Sequence, residues 1–258
     1  MDRGDHKLYH VHGFDSRSFL DTYFSDKEDF VFRDDSMNFP MKKLHSALSQ
    51  GHIRGDSLID ISVGSFIHHL YSACDYFKEI TLLRASERCI MELNKWRDTR
   101  TGAFEWSHTS QMLSNITGDS DVSQDNEIKL KAAIKQIMKC DLQRESLTDV
   151  ESLPQADCVI TACFLDVTCE DFKEYDRNLN KISNLLKPEG HLILFGLKNA
   201  TYAMIGKEKF HVLKLDENYV TKVLTNEGFT IDHCEVQNRK AESDLTNYEG
   251  IIFIVAHK

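Results

Sequence analysis

Side chains able to do chemistry are few and scattered. His6, His10 and His12 have spacings that a metal ion could use, but they sit in a polar terminus with no cysteine nearby and no helical frame, so no metal site is expected. The seven cysteines, Cys74, Cys89, Cys140, Cys158, Cys163, Cys169 and Cys234, are odd in number, form no CxxC pair and fall mostly in apolar segments. They read as free thiols of a reducing compartment. Lys43, Lys207 and Lys209 flank apolar residues and read as solvated faces, while His68 and His69 either pack against the sheet or line a pocket. GxGxxG, P-loop, HExxH and GxSxG patterns are absent, which removes the enzyme classes built on them.

The composition narrows the partners. Lys plus Arg number 31 against 41 for Asp plus Glu, a formal charge of -10 that would repel a phosphate backbone, so nucleic acid is not an expected partner. No run approaches the 18 or so apolar residues that span a bilayer, and Met1 to His12 lacks the apolar centre of a signal peptide. A cytoplasmic monomer with a small-molecule ligand and no membrane partner is expected. With 258 residues and 41% hydrophobic content, the chain suits a single α/β domain.

The elements that must position any site alternate between short apolar runs and longer amphipathic segments, the pattern of a parallel sheet covered by helices on both faces. The runs are Leu58 to Ile61, Ile80 to Leu83, Cys158 to Ala162 and His191 to Phe195. Phe172, Tyr175, Leu179, Ile182 and Leu186 recur at helical spacing and end at a break over Lys187, Pro188, Glu189 and Gly190. Helices are also expected over Glu87 to Trp96, over Asn126 to Met138, and after a capping Asp216 through Val220, Val223 and Leu224 to Gly228. Ser114 to Glu127 reads as a surface loop, and Phe229 to Val236 and Gly250 to Ala256 as a closing strand pair. Ligands of such sheets bind beyond the carboxyl ends of the strands, which here means the residues after Ile61, Leu83, Cys140, Ala162 and Phe195.

At those ends the sequence resembles the nicotinamide, phenylethanolamine and indolethylamine N-methyltransferase family. The likeness is carried by FDSRSFLDTYF from Phe14, GDSLIDISVG from Gly55, LNKW from Leu93, KQIMKCD from Lys135, ADCVITACFLD from Ala156, LLKPEGHLIL from Leu185, YAMIGKEKF from Tyr202 and NYEG from Asn247. It runs from about Phe14 to Lys258. The resemblance implies a Rossmann-like class I methyltransferase fold: seven strands, mostly parallel, Leu58 to Ile61 near the centre and the last strand antiparallel. It also implies an N-terminal helical lid over residues 1–52, a sheet core over residues 53–258, and S-adenosylmethionine as cofactor.

Carried over position by position, the resemblance implies a cofactor site at Tyr23, Asp60, Ser62, Gly64, Arg84, Cys89, Asp141, Leu142 and Ala162. Four of these, Ser62, Arg84, Cys89 and Ala162, depart from the family pattern. Ser62 stands where the first glycine of a Gly-x-Gly turn lets backbone approach the cofactor. A Cβ there implies either strain of about 1 to 3 kcal/mol or a relaxed turn. Arg84 stands where an Asp accepts from both ribose hydroxyls, and a guanidinium has donors only; the alternative is a solvated arginine pointing away. Cys89 replaces an Asn, Ala162 a Thr, His68 a Tyr, and Phe19 and Phe24 two lid tyrosines. Asp141 and Leu142 are kept for the adenine. Gly196 aligns with the acid that orients the substrate nitrogen and Val212 with a Ser that contacts the substrate amide, so no catalytic residue is assigned. Three readings follow: a pseudoenzyme with weakened cofactor binding, an active N-methyltransferase of a small amine or pyridine, or an enzyme of another ligand in which Arg84 favours a phosphate.

Overall fold

A computed structural model describes residues 6–118, 125–148 and 153–258. Strands β1 (Ser57–Ser62), β2 (Glu79–Arg84), β3 (Ile134–Lys139), β4 (Ala156–Ala162), β5 (Leu186–Lys198), β8 (Thr230–Asn238) and β9 (Gly250–His257) form one sheet. Its order is β3-β2-β1-β4-β5-β9-β8, and β9 alone runs against the others. A separate hairpin joins β6 (Tyr202–Ile205) to β7 (Glu208–His211). The fold is thus a seven-stranded, mostly parallel α/β sheet with β1 one place from the centre, as the apolar runs and the resemblance require. Among the described residues, no helix is long and apolar enough to cross a membrane.

Strand pleating sends alternate residues to opposite faces, and this decides what each strand offers. Leu58 of β1 joins one core with α3 (Phe39–Ser49), whereas Ile59 and Ile61 join the other. That second core is closed by α7 (Phe164–Thr168), by α8 (Phe172–Ser183), which buries Tyr175, Leu179 and Ile182, and by α9 (Glu217–Asn226), which buries Val220, Val223 and Leu224. Helices α8 and α9 each start on an aspartate whose carboxylate accepts a backbone N–H, Asp171 from Glu174 and Asp216 from Tyr219. The first core is covered by α1 (Tyr9–His12), α2 (Ser16–Tyr23), a wide turn over Arg33–Asn38, and α3. After β2 comes α4 (Glu87–Arg97), as its apolar spacing predicts.

Three expectations need correction. Ile134 to Met138 is not the end of a helix: α6 (Asp125–Ala133) stops, and the β-branched Ile134 and Ile137 enter β3, an edge strand whose partly exposed residues mimic a helical spacing. Ser114 to Glu127 is not all loop. Ser114 to Thr117 end α5 (Ser107–Thr117), Gly118 at φ +74 caps it, and α6 begins at Asp125; residues 119–124 lie outside the described residues. The break over Lys187 to Gly190 lies inside β5, where pairing jumps from Ala156 with Leu186 to Cys158 with His191 and Glu189 adopts φ +63. Leu186 accordingly belongs to β5, and the break is a bulge.

Candidate functional site

The carboxyl ends of β1 and β2 carry a buried charge network. Register pairs Asp60 with Leu82, so Arg84, two residues on, projects from the same face and diagonally toward Asp60. Both side chains are completely buried, and Arg84 Nη2 lies 2.7 Å from Asp60 Oδ1 as an ion pair. Arg84 Nη1 donates to the carbonyls of Leu83 at 2.8 Å and Asp60 at 3.2 Å, and Nη2 donates to that of Phe66 at 3.3 Å. Asp60 Oδ2 accepts from Ser62 Oγ at 2.9 Å and lies 2.7 Å from His69 Nε2. Because the carboxylate only accepts, Nε2 is the protonated nitrogen of His69. Burial pushes the Asp60 carboxyl up, but Arg84, then His69 and the Ser62 hydroxyl, outweigh it and hold the group below its ordinary range.

The alternative of a solvated Arg84 pointing away is therefore wrong, and so is the phosphate reading. The guanidinium charge is already matched by Asp60, out of reach of solvent. For Ser62 the relaxed alternative holds. Neither Ser62 nor Val63 takes a positive φ; Ser62 stays in β1 opposite Ala162, and only Gly64 is left-handed, at φ +67.

The N-terminal helices press aromatic rings onto this turn. A Cβ on Gly64 would overlap Phe19 Cε1 and come within 3.3 Å of Phe14 Cζ, so the two rings fill the space that the glycine leaves. Phe24 stacks on Phe66 with centroids 4.9 Å apart. Tyr23 donates its hydroxyl to the carbonyls of Met204 at 2.8 Å and Leu245 at 3.3 Å, tying α2 to the hairpin side of the molecule. Cys89, behind the network, is buried 3.7 Å from the Tyr9 hydroxyl, and burial pushes its thiol up. Tyr9 was missed by sequence reasoning because a lone tyrosine in a polar terminus carries no periodic signal.

Asp141 and Leu142 stand apart, in the turn after β3. Asp141 is half-buried and accepts from Gln143 N at 2.9 Å, with Arg144 Nε 3.4 Å away; Leu142 is buried. Ala162 closes β4, and its carbonyl accepts from Val63 N.

Between the N-terminal rings and the sheet lies an apolar cavity of about 120 Å³, walled by Phe19, Phe24, Val63, Phe66, Ala162, Phe195 and Val212. Its polar groups are spent or neutral. Asp35 accepts from the Tyr248 hydroxyl at 2.6 Å, from Gln237 Nε2 and from the backbone of Lys240 and Ala241. The His68 imidazole is held well below its usual value, first by burial and then by His69 and His108, so it is neutral at pH 7. Cys163 also lines the cavity, with its thiol pushed well up by burial and then by Asp166.

Gly196 does not line that cavity. A Cβ there would meet Leu194 Cδ2 at 3.7 Å and Asp166 Oδ2 at 4.0 Å, on the other face of β5. Asp166, also missed, is a buried carboxyl raised to about 6 by burial while accepting from Leu197 N at 2.9 Å. Among the described residues the arrangement offers a largely apolar enclosure whose one carboxylate, Asp35, is already occupied by four donors. Nor do the ligand atoms of His6, His10 and His12 gather; among the described residues, the cluster that does is His191, Asp232 and His257.

The comparisons with known proteins agree with one another. The sequence profile of the NNMT/PNMT/TEMT family matches residues 5–258. Human nicotinamide N-methyltransferase is 33% identical over 245 residues, covering 95% of this chain and 93% of that protein. Mouse indolethylamine N-methyltransferase is 30% identical over 95% of this chain and 93% of its own length, and human phenylethanolamine N-methyltransferase 29% identical over 84% and 79%. Among solved structures, magnesium protoporphyrin IX methyltransferase from Synechocystis with bound SAH superposes with a TM-score of 0.58 at 14% identity, covering 97% of this chain and 95% of that one. An S-adenosylmethionine-dependent methyltransferase from Clostridium acetobutylicum gives 0.56 at 10% identity, over 93% and 96%. At such identity the structures establish the Rossmann-like methyltransferase fold alone.

Proposed function

The chain belongs to the NNMT/PNMT/TEMT family of small-molecule N-methyltransferases, and on that premise we propose that it is a divergent member in which S-adenosylmethionine binding and methyl transfer are weakened or lost. One observation carries this reading. Arg84, at the position the resemblance gives to the ribose-accepting acid, is buried and paired with Asp60 of the adjacent strand. A guanidinium accepts no hydrogen bond, and this one is held by three carbonyls and a carboxylate, so turning it aside would leave Asp60 an uncompensated buried charge. The rings of Phe14 and Phe19 against Gly64 add to the misfit, because the cofactor's approach to that turn requires them to move. These residues do not fit the cofactor.

What remains is a pocket for a small, uncharged, largely apolar molecule, bounded by Phe24, Phe66 and Phe195 and addressed by the neutral His68. Methyl transfer from a sulfonium depends mainly on holding donor and acceptor in line at about 3 to 3.5 Å. The cavity presents no free carboxylate that would orient an amine for it. Calorimetric titration with S-adenosylmethionine and S-adenosylhomocysteine tests the reading. Two lost bonds to a charged acceptor, at about 1.5 to 3 kcal/mol each, correspond to roughly a hundredfold or more in affinity. A dissociation constant in the low micromolar range would overturn the proposal. It would favour an active N-methyltransferase of a small amine or pyridine, the reading that the kept Asp141 and Leu142 support.

A further inference from the structure

Far from the cavity, three potential metal ligands converge from three strands. His191 of β5 and His257 of β9 are direct cross-strand partners, so both rings stand on one face of the sheet with centroids 5.8 Å apart. Asp232 reaches them by an irregularity of β8. Ile231 pairs with Ala256 and His233 with Val255, leaving Asp232 as the extra residue of a bulge. A bulge re-aims a side chain out of the regular alternation, and here the Asp232 carboxylate lies 2.8 Å and 3.0 Å from His257 Nδ1 through its two oxygens. One ligand atom from each of the three residues lies within 4.8 Å of the others. Along β5, His191 precedes Phe195 of the cavity wall by a strand length of roughly 13 Å, so the cluster occupies the opposite end of the sheet.

We propose that His191, Asp232 and His257 form a site for a divalent cation of the zinc type, with two imidazole nitrogens and one carboxylate oxygen as protein ligands and a fourth position open. Tetrahedral coordination at about 2.0 to 2.1 Å sets ligand atoms roughly 3.3 Å apart, so closure needs shifts of about 1.5 Å or less. Rotations of these half-buried or exposed side chains supply that. The carboxylate brings a negative charge and, because it only accepts, His257 presents its Nδ1–H to it; a cation bound at Nδ1 moves that hydrogen to Nε2 and frees the Asp232 oxygens to coordinate. His52, exposed after α3 with its ring 5.8 Å from that of His191, is a neighbour able to supply the fourth position.

The test titrates the chelator-stripped protein with Zn²⁺ against a chromophoric competitor, and by calorimetry at pH 7. The expected result is one ion per chain. His257→Gln and Asp232→Asn should each weaken binding at least about tenfold, since loss of even an outer-shell partner costs about that much. His233→Gln, beside the cluster on β8, should leave binding unchanged. Absence of saturable binding up to about 100 µM Zn²⁺ would overturn the proposal, being far weaker than a built site requires. So would one-to-one binding that survives both ligand substitutions, which would place the ion on the cysteines or the terminal histidines. Circular dichroism of each variant separates lost binding from lost folding, and Co²⁺ spectra of the wild-type protein supply a second readout of the nitrogen and oxygen ligand set.

Discussion

Replacing Arg84 with methionine keeps the aliphatic stem and removes the guanidinium, which isolates the energetics of the buried pair. Asp60 would keep the His69 Nε2–H and the Ser62 hydroxyl but lose the cation 2.7 Å away. Removing one partner of a buried ion pair costs about 3 to 5 kcal/mol. At roughly 2 to 4 °C per kcal/mol for a chain of this size, the melting temperature should fall by about 10 °C. The acid limb should move too. In the parent, Asp60 titrates below its unfolded value, so its contribution is fully present above about pH 4 and is lost as pH falls through the folded pKa. In Arg84→Met the effect of burial loses its main opponent, the pKa rises, and destabilisation on acidification should begin at higher pH. Urea unfolding of Arg84→Met, Asp60→Leu and the double variant between pH 7 and 4 measures both effects. The two substitutions should couple by about 2 kcal/mol or more, since the double variant leaves no orphan charge. A loss under about 1 kcal/mol with additive singles and an unmoved acid limb would refute the pairing.

Three further outcomes are expected. Arg84→Asp with Ser62→Gly should bind S-adenosylmethionine at least tenfold more tightly, or about 1.4 kcal/mol, by calorimetry, and the ligand should raise its melting temperature, because a second carboxylate beside Asp60 destabilises the free protein and attracts the sulfonium cation. Gly64→Ala should destabilise strongly in the parent and much less beside Phe19→Ala, since the new Cβ overlaps the Phe19 ring; equal costs in both backgrounds by denaturant unfolding would show that the ring does not sit on the turn. His68 has a folded pKa well below the unfolded value of about 6.5, so stability should fall as pH drops below that value, by up to about 1.4 kcal/mol per unit. His68→Phe should flatten the slope of urea midpoints between pH 6.5 and 5, and an unchanged slope would assign it to other histidines.

Much of the scaffold was legible in the amino acids. Leu58 to Ile61, Cys158 to Ala162 and His191 to Phe195 became strands because strands buried on both faces read as continuous apolar runs. Asp216 and Gly228 bounded α9 where capping chemistry places them. Edges were less legible. At β3 an apolar spacing of three and four residues fits a helix and a half-exposed edge strand alike, and only pairing with β2 distinguishes them. Residue type also identified Arg84 as incompatible with an acceptor role, since a guanidinium has no lone pair to offer wherever it points.

Where Arg84 points was a matter of tertiary structure alone. Its partner is 24 residues away in the chain and becomes a neighbour only through the register of β1 on β2. A one-residue slip of that register would have put the two side chains on opposite faces. The fit of Phe19 over Gly64 and the approach of Asp232 to His257 depend in the same way on how elements pack and where a strand bulges. Sequence alone determined which groups were acids, bases, donors and rings, and the alternation that buries them, because these follow from covalent chemistry and local periodicity. The charges that cancel, the rings that fill a turn and the ligands that converge were decided by the tertiary structure, because each is a distance between residues remote in the chain.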